Sequence, residues 1–197
     1  MLCRLYTPQD FAALYAIEER CFEPLFRFGR RTMRQFVSRS NAATWLAEED
    51  GELKGFAMVE WTEHKLRLCG GGPSPQGYKS GVPGSEPLPQ GFKGGVPGDG
   101  SSLPGCKSRV TAYIQTIEVA PEARGRGVGR ALLGHIENSA LAAGAVRIRL
   151  HVDAENAGAI RLYEAQGYRC QGRQENYYPL SRAALIYLKR LDCGRES

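Results

Sequence analysis

Between Arg124 and Leu133 the chain reads RGRGVGRALL, and few folds can accommodate such a run. Before it stands a β-branched stretch, RVTAYIQTIEVAP; after it, Val128, Leu132, Ile136 and Ala140 recur at helical spacing. A strand therefore passes into a helix through glycines that allow close backbone approach. Free N–H groups and the positive dipole end of that helix form a place for phosphate groups. Arg124, Arg126 and Arg130 add positive charge. The pattern GxxxxGK[ST] is absent, and GxGxxG fails because the position three after Gly127 is Arg130. A pyrophosphate cradle is the functional reading; glycines that only shape a turn are the bland one.

The flanking segments supply layers for an α/β or α+β domain. Thr7-Pro8 and Asp10 read as a helix start, followed by an inward stripe of Phe11, Leu14, Tyr15, Ile17 and Phe22. RRTMRQFVS suggests a second, short helix. Asp50-Gly51 between apolar runs marks a hairpin. Downstream, Gly144 ends the glycine-led helix, VRIRLHV is a strand, NAGAIRLYEAQ a helix stopped by Gly167, and YRCQGRQENYYP and ALIYLKRL are closing strands.

One segment breaks this alternation. Residues 70–105 hold half of the chain's 24 glycines and 7 of its 11 prolines. PQGYKSGVPG at Pro75 returns as PQGFKGGVPG at Pro89, and such a stretch cannot bury a core. The expectation is one domain over 1–197 carrying a flexible insertion at 70–107; a partner-binding or substrate-edge element is the alternative. Six dispersed cysteines without a CxxC pair argue against a zinc site, so no metal is expected. Cys69 and Cys106 bracket the insertion and are the one pair considered for a disulfide. A net charge of +5 is spread without a nucleic-acid signature. No apolar run approaches membrane-helix length and the N-terminus lacks a signal peptide's apolar centre, so a cytoplasmic protein without nucleic-acid or membrane partners is expected.

The stretch RLHVDAEN places one of three histidines, His151, at the end of a strand. A structural hydrogen bond there competes with proton handling. Asn156, Ile160 and Tyr163 follow at i, i+4 and i+7, one helix face; alone, Tyr163 would more often be a packed core residue.

The run Arg124 to Gly129 resembles the Q/R-x-x-G-x-G/A motif of the GNAT superfamily of acyl-CoA N-acyltransferases, closest to the RimI-like N-alpha acetyltransferases. The resemblance implies a central mixed, mostly antiparallel twisted sheet flanked by helices and splayed at the acetyl-CoA site. It assigns cofactor contacts to Ile117, Glu118 and Val119 on the splayed strand, to Arg124, Gly125, Arg126, Gly127, Val128 and Gly129 in the loop, and to Asn156. It puts Tyr163 beside the sulfur. The bacterial RimI-like members carry a glutamate where this chain has His151. A eukaryotic branch has a histidine in the same LHV…N context, paired with a tyrosine opening a YI-x-T strand, here Tyr113 of YIQT. His151 is therefore the candidate base, with Tyr113 its helper and Glu118 a rival base. ENYYP and RCFEPLF resemble the segments walling the peptide groove and nominate Phe22, Tyr177 and Tyr178 for substrate binding. Arg182-Ala183 departs from the acidic residue common before the last strand. The implied reaction is acetyl transfer from acetyl-CoA to a protein N-terminal amine. Transfer to a lysine or small amine, or a silent acyl-CoA-binding module, stand as alternatives, and the oligomeric state is not legible.

Overall fold

The computed structural model describes residues 1–64 and 109–191. The insertion and the Cys69–Cys106 pair considered above lie outside the described residues. Seven strands form one sheet: β1 (Leu2–Leu5), β2 (Ala42–Glu49), β3 (Glu52–His64), β4 (Arg109–Val119), β5 (Ala145–Asp153), β6 (Arg169–Gln174) and β7 (Ala184–Arg190), in the order β1-β2-β3-β4-β5-β7-β6. Only β4 and β5 run parallel; every other neighbour is antiparallel. The helices are α1 (Phe11–Cys21), α2 (Arg30–Val37), α3 (Val128–Ala142) and α4 (Ala157–Ala165). The mixed, mostly antiparallel sheet expected from the sequence is present.

Local chemistry explains the boundaries. Thr7 and Asp10 make a reciprocal capping box over a 3-10 turn, Pro8–Asp10, that feeds α1. Asp50 and Gly51 both take positive φ, 54° and 77°, as a two-residue hairpin turn requires. Gly144 and Gly167 end α3 and α4 at φ 79° and 84°. One strand was not anticipated, and one expectation needs correction. Leu2–Leu5 is a strand at the sheet edge, too short for its alternation to be read against the helix start that follows. Phe22 is not on the helical stripe: it ends α1 in extended conformation, half-buried.

The strand period of two separates the sheet's faces. Phe56 and Met58 of β3 join Leu14, Ile17, Met33 and Phe36 under α1 and α2. Ala57 and Val59 join Leu132, Leu133, Ile136 and Tyr163 under α3 and α4. The His135 ring stacks on Trp45 with centroids 4.3 Å apart, and Trp45 Nε1 donates to Ser139 Oγ at 2.8 Å, locking α3 to β2. His135 thus has a structural place.

Gly55 lets β3 and β4 approach closely: a Cβ there would lie 2.5 Å from the Glu118 carbonyl oxygen and 3.3 Å from Leu132 Cδ1. The carbonyl is backbone, so β4 itself would have to move. Gly55→Ala is expected to destabilise by ~1–3 kcal/mol, lowering Tm by several degrees in a thermal melt. An unchanged Tm would contradict this packing.

Candidate active site

β4 and β5 pair only from Val110↔Ala145 to Tyr113↔Arg149. β4 then runs six residues further and β5 four, with no pairing between them. The sheet opens there into a V, and backbone polar groups of β4 lose their strand partner on the β5 side. Ile117 and Val119 are half-buried along this opening, while the Glu118 side chain points into the α1/α2 layer, opposite Phe56 in register. The Val119 carbonyl accepts from Arg124 Nε at 3.2 Å and from Cys21 Sγ at 3.4 Å.

The glycine loop closes one end of the opening. Gly125 and Gly127 take φ of 74° and 84°, conformations that cost an L side chain strain. Gly129 serves packing: a Cβ there would sit 3.2 Å from Leu162 Cδ2 of α4. Val128 is buried, anchoring the first turn of α3, whose N–H groups lack intrahelical acceptors. Arg124, Arg126 and Arg130 are exposed, and Arg126 pairs with Glu49 at 2.6 Å. These residues offer several N–H donors and positive charge to a diphosphate. Across the opening, Asn156 is the residue preceding α4, not its first helical turn, and its Oδ1 accepts from Ala159 N at 3.0 Å. That cap occupies its oxygen and leaves its amide nitrogen for a ligand. Tyr163 lies two turns on, buried, its ring 5.6 Å from that of Tyr168. Burial alone pushes its phenol well above the ordinary value, so it keeps its proton.

On the α1/α2 face three predicted residues meet. Tyr113 Oη lies 2.8 Å from His151 Nδ1, and the Tyr177 ring stacks on His151 at 4.6 Å and 2°. Tyr178 meets Tyr177 edge-on at 4.9 Å. Burial, aided by the charge of Arg149, depresses the His151 pKa to about 4, so the imidazole is neutral at neutral pH. Burial also raises the Tyr113 phenol well above its usual range.

Two loops wall this face. The 22–29 loop is folded around Arg27, whose guanidinium donates to the Phe22 carbonyl at 3.1 and 3.0 Å. Opposite, the 175–182 hairpin holds Asn176, Leu180 and Ser181 at positive φ, a strained backbone of the kind found at binding sites. Arg182 ties the hairpin to the β5–α4 turn through Asp153 at 2.8 Å and Glu155 at 3.0 Å, and lies over the Phe26 ring at 5.1 Å. The departure at Arg182 thus lies between both walls.

Sequence reading missed Glu18. It is fully buried and faces Glu118, also buried. Its position four residues after Leu14 places it on the apolar stripe of α1, which was a legible signal.

The family model described as "Acetyltransferase (GNAT) family" matches residues 11–168. The ribosomal protein bS18-alanine N-acetyltransferase of Salmonella typhimurium is 41% identical over 68 residues, 34% of this chain and 46% of that protein. Mycothiol acetyltransferase of Acidothermus cellulolyticus is 36% identical over 132 residues, 65% of this chain and 30% of that protein. The chain thus spans less than half the length of these curated relatives. The crystal structure of Arabidopsis thaliana NAA60 in complex with acetyl-CoA shares the fold, with a TM-score of 0.68 at 21% identity, covering 96% of this chain and 98% of that one. With the family matched over most of its length, and the sheet opened beside a glycine-led helix, this chain belongs to the GNAT family of acetyltransferases.

Proposed function

We propose that this chain transfers the acetyl group of acetyl-CoA to the α-amine of a protein N-terminus by direct attack, in the manner of the RimI-like enzymes. The observation that carries the reading is the Tyr113–His151–Tyr177 cluster at the mouth of the β4/β5 opening, between two aromatic-bearing loops. The name of one relative, a ribosomal protein bS18-alanine N-acetyltransferase, supports a protein acceptor. A small-molecule amine is the second reading, favoured by the longer match to mycothiol acetyltransferase.

The glycine loop would hold the diphosphate of acetyl-CoA, and the unpaired edge of β4 would hold its pantetheine arm, with the Asn156 amide nitrogen opposite. The acceptor amine enters from the α1/α2 face. An α-amine of pKa ~8 is already ~10% neutral at pH 7, against almost none for lysine at ~10.4. Its nitrogen forms a bond to the thioester carbonyl carbon as the C–S bond breaks. The attacking nitrogen becomes strongly acidic as it bonds to carbon, so even a weakly basic imidazole can take its proton. For that, His151 Nδ1–H donates to Tyr113 Oη, which leaves the Nε2 lone pair to accept, directly or through water. Backbone N–H groups stabilise the carbonyl oxygen's developing charge. Tyr163, held protonated, supplies a proton to the thiolate.

The reading predicts that kcat/KM rises with pH through the amine's own ionisation and shows no second break between pH 6 and 7. A base that must be neutral loses activity as pH falls through its pKa, and for His151 that limb lies near 4. A break near 6.5 that disappears in His151→Asn would contradict the depressed value. Tyr163→Phe is expected to lower kcat by roughly 10²-fold, with KM for acetyl-CoA within about twofold; an unchanged kcat would remove Tyr163 from the mechanism.

The deciding assay offers acetyl-CoA with peptides bearing free N-termini and varied first residues, with N-blocked peptides bearing an internal lysine, and with small amines. Thiol release is followed and mass spectrometry locates the acetyl group. Acetylation confined to α-amines is expected. Acetylation confined to lysine or small amines, or coenzyme A binding without turnover, would overturn the reading.

A further inference from the structure

Two carboxyl groups lie fully buried against each other between α1 and β4, where a pair of carboxylates could not persist. Glu18 is 0% exposed and Glu118 2%. Glu18 Oε1 accepts from the Phe28 amide at 2.6 Å, and Glu118 Oε1 accepts from Thr116 Oγ1 at 3.0 Å. The second oxygen of each receives no N–H or O–H from any other group among the described residues. The two carboxyls face one another within hydrogen-bonding reach, and that contact is a bond only if one of them keeps its proton.

The charged neighbours offer no substitute. Arg27, in the 22–29 loop, spends its guanidinium on the carbonyls of Phe22 and Glu19. Arg124, from the loop before α3, is bonded to the Val119 carbonyl and lies beside Cys21, the last residue of α1. Neither guanidinium pairs with Glu18 or Glu118 among the described residues, and the more distant charge of Arg27 only partly offsets the rise that burial imposes on Glu18. From β3, Phe56 and Met58 lie opposite Glu118 and Thr116 in register and add only apolar surface. Desolvation, first, and the partner carboxyl raise the Glu118 pKa well above its ordinary value; desolvation raises that of Glu18.

The pair also has a mechanical position. Glu18 takes the Phe28 N–H while Tyr15 Oη donates to the Phe28 carbonyl at 3.2 Å, so α1 grips both sides of one residue at the end of the 22–29 loop. Glu118 is on the strand whose edge forms the opening. We propose that Glu18 and Glu118 form a carboxylic acid–carboxylate pair sharing one proton, and that this bond ties the 22–29 loop to β4 and so positions the acceptor amine. Both residues are then positioning residues, and Glu118 is not the base. The positioning half rests on the reading above for what enters the groove; the shared proton does not.

A group whose pKa is raised by folding contributes its bond below that pKa and loses it as pH rises through it. Glu18→Gln keeps an acceptor for Phe28 and gains an amide donor toward Glu118, so it needs no shared proton. Glu18→Ala removes both contacts. Infrared spectroscopy of the full chain at neutral pH is expected to show the carbonyl band of a protonated carboxylic acid, absent from Glu18→Gln. Exchange of the Phe28 amide is expected to accelerate in Glu18→Ala and stay near wild type in Glu18→Gln. In turnover, Glu18→Ala is expected to raise KM for the acceptor roughly tenfold, about what one hydrogen bond is worth, and leave KM for acetyl-CoA unchanged. The ratio of Glu18→Gln to wild-type kcat/KM should climb at alkaline pH, where the native pair loses its proton. A missing band, or one that persists in Glu18→Gln, overturns the pair. A rise confined to KM for acetyl-CoA overturns its positioning role. If the band and Phe28 exchange behave as expected while no α-amine is acetylated, the pair stands and the N-terminal reading fails.

Discussion

The site depends on a defect in hydrogen bonding. Two parallel strands that pair for four positions and then part leave backbone donors and acceptors exposed along the rest of β4. Unpaired backbone in a sheet is costly unless another partner takes it up. The structure surrounds this opening with features that make it usable. Close approach of β3 at Gly55 holds β4 on its other side, and the glycine loop that follows β4 leads into α3, whose first N–H groups lack intrahelical acceptors. An extended ligand with a diphosphate end and a thioester end fits such an opening, which accords with the family's chemistry.

Burial sets the protonation of the surrounding groups. His151 is held neutral, Tyr163 is held protonated, and Glu118 is pushed toward its acid form. Desolvation is the largest cause of all three, with the charge of Arg149 adding to it at His151 and the partner carboxyl of Glu18 at Glu118. Under the proposed mechanism, a histidine held neutral would accept a proton from a nitrogen already bonding to carbon, and would not deprotonate a charged lysine amine before attack. That mechanism would favour amines that are partly neutral at physiological pH.

The glycine loop was legible because each glycine answers to a physical demand: positive φ at Gly125 and Gly127, close packing at Gly129. The Asp50-Gly51 hairpin and the caps at Gly144 and Gly167 were legible for the same reason. The pairing of Tyr113 with His151 was not readable from spacing, since the residues are 38 positions apart and meet only through the parallel register; the family resemblance supplied it. Asn156 was placed on the wrong side of a helix boundary because periodicity cannot tell a cap from a first turn. Glu18 was overlooked because a glutamate near the end of a surface helix is ordinarily solvated; its place on the apolar stripe of α1 was the legible sign that it is buried instead.

The most direct test of the central claim, that the parted strands are where acetyl-CoA sits, is hydrogen–deuterium exchange of the full chain with and without acetyl-CoA. The account requires slower exchange in the β4 segment after Tyr113 and at the start of α3, with little change in β1 and β2. Protection elsewhere, with those two segments unchanged, would show that the opening is not the binding site.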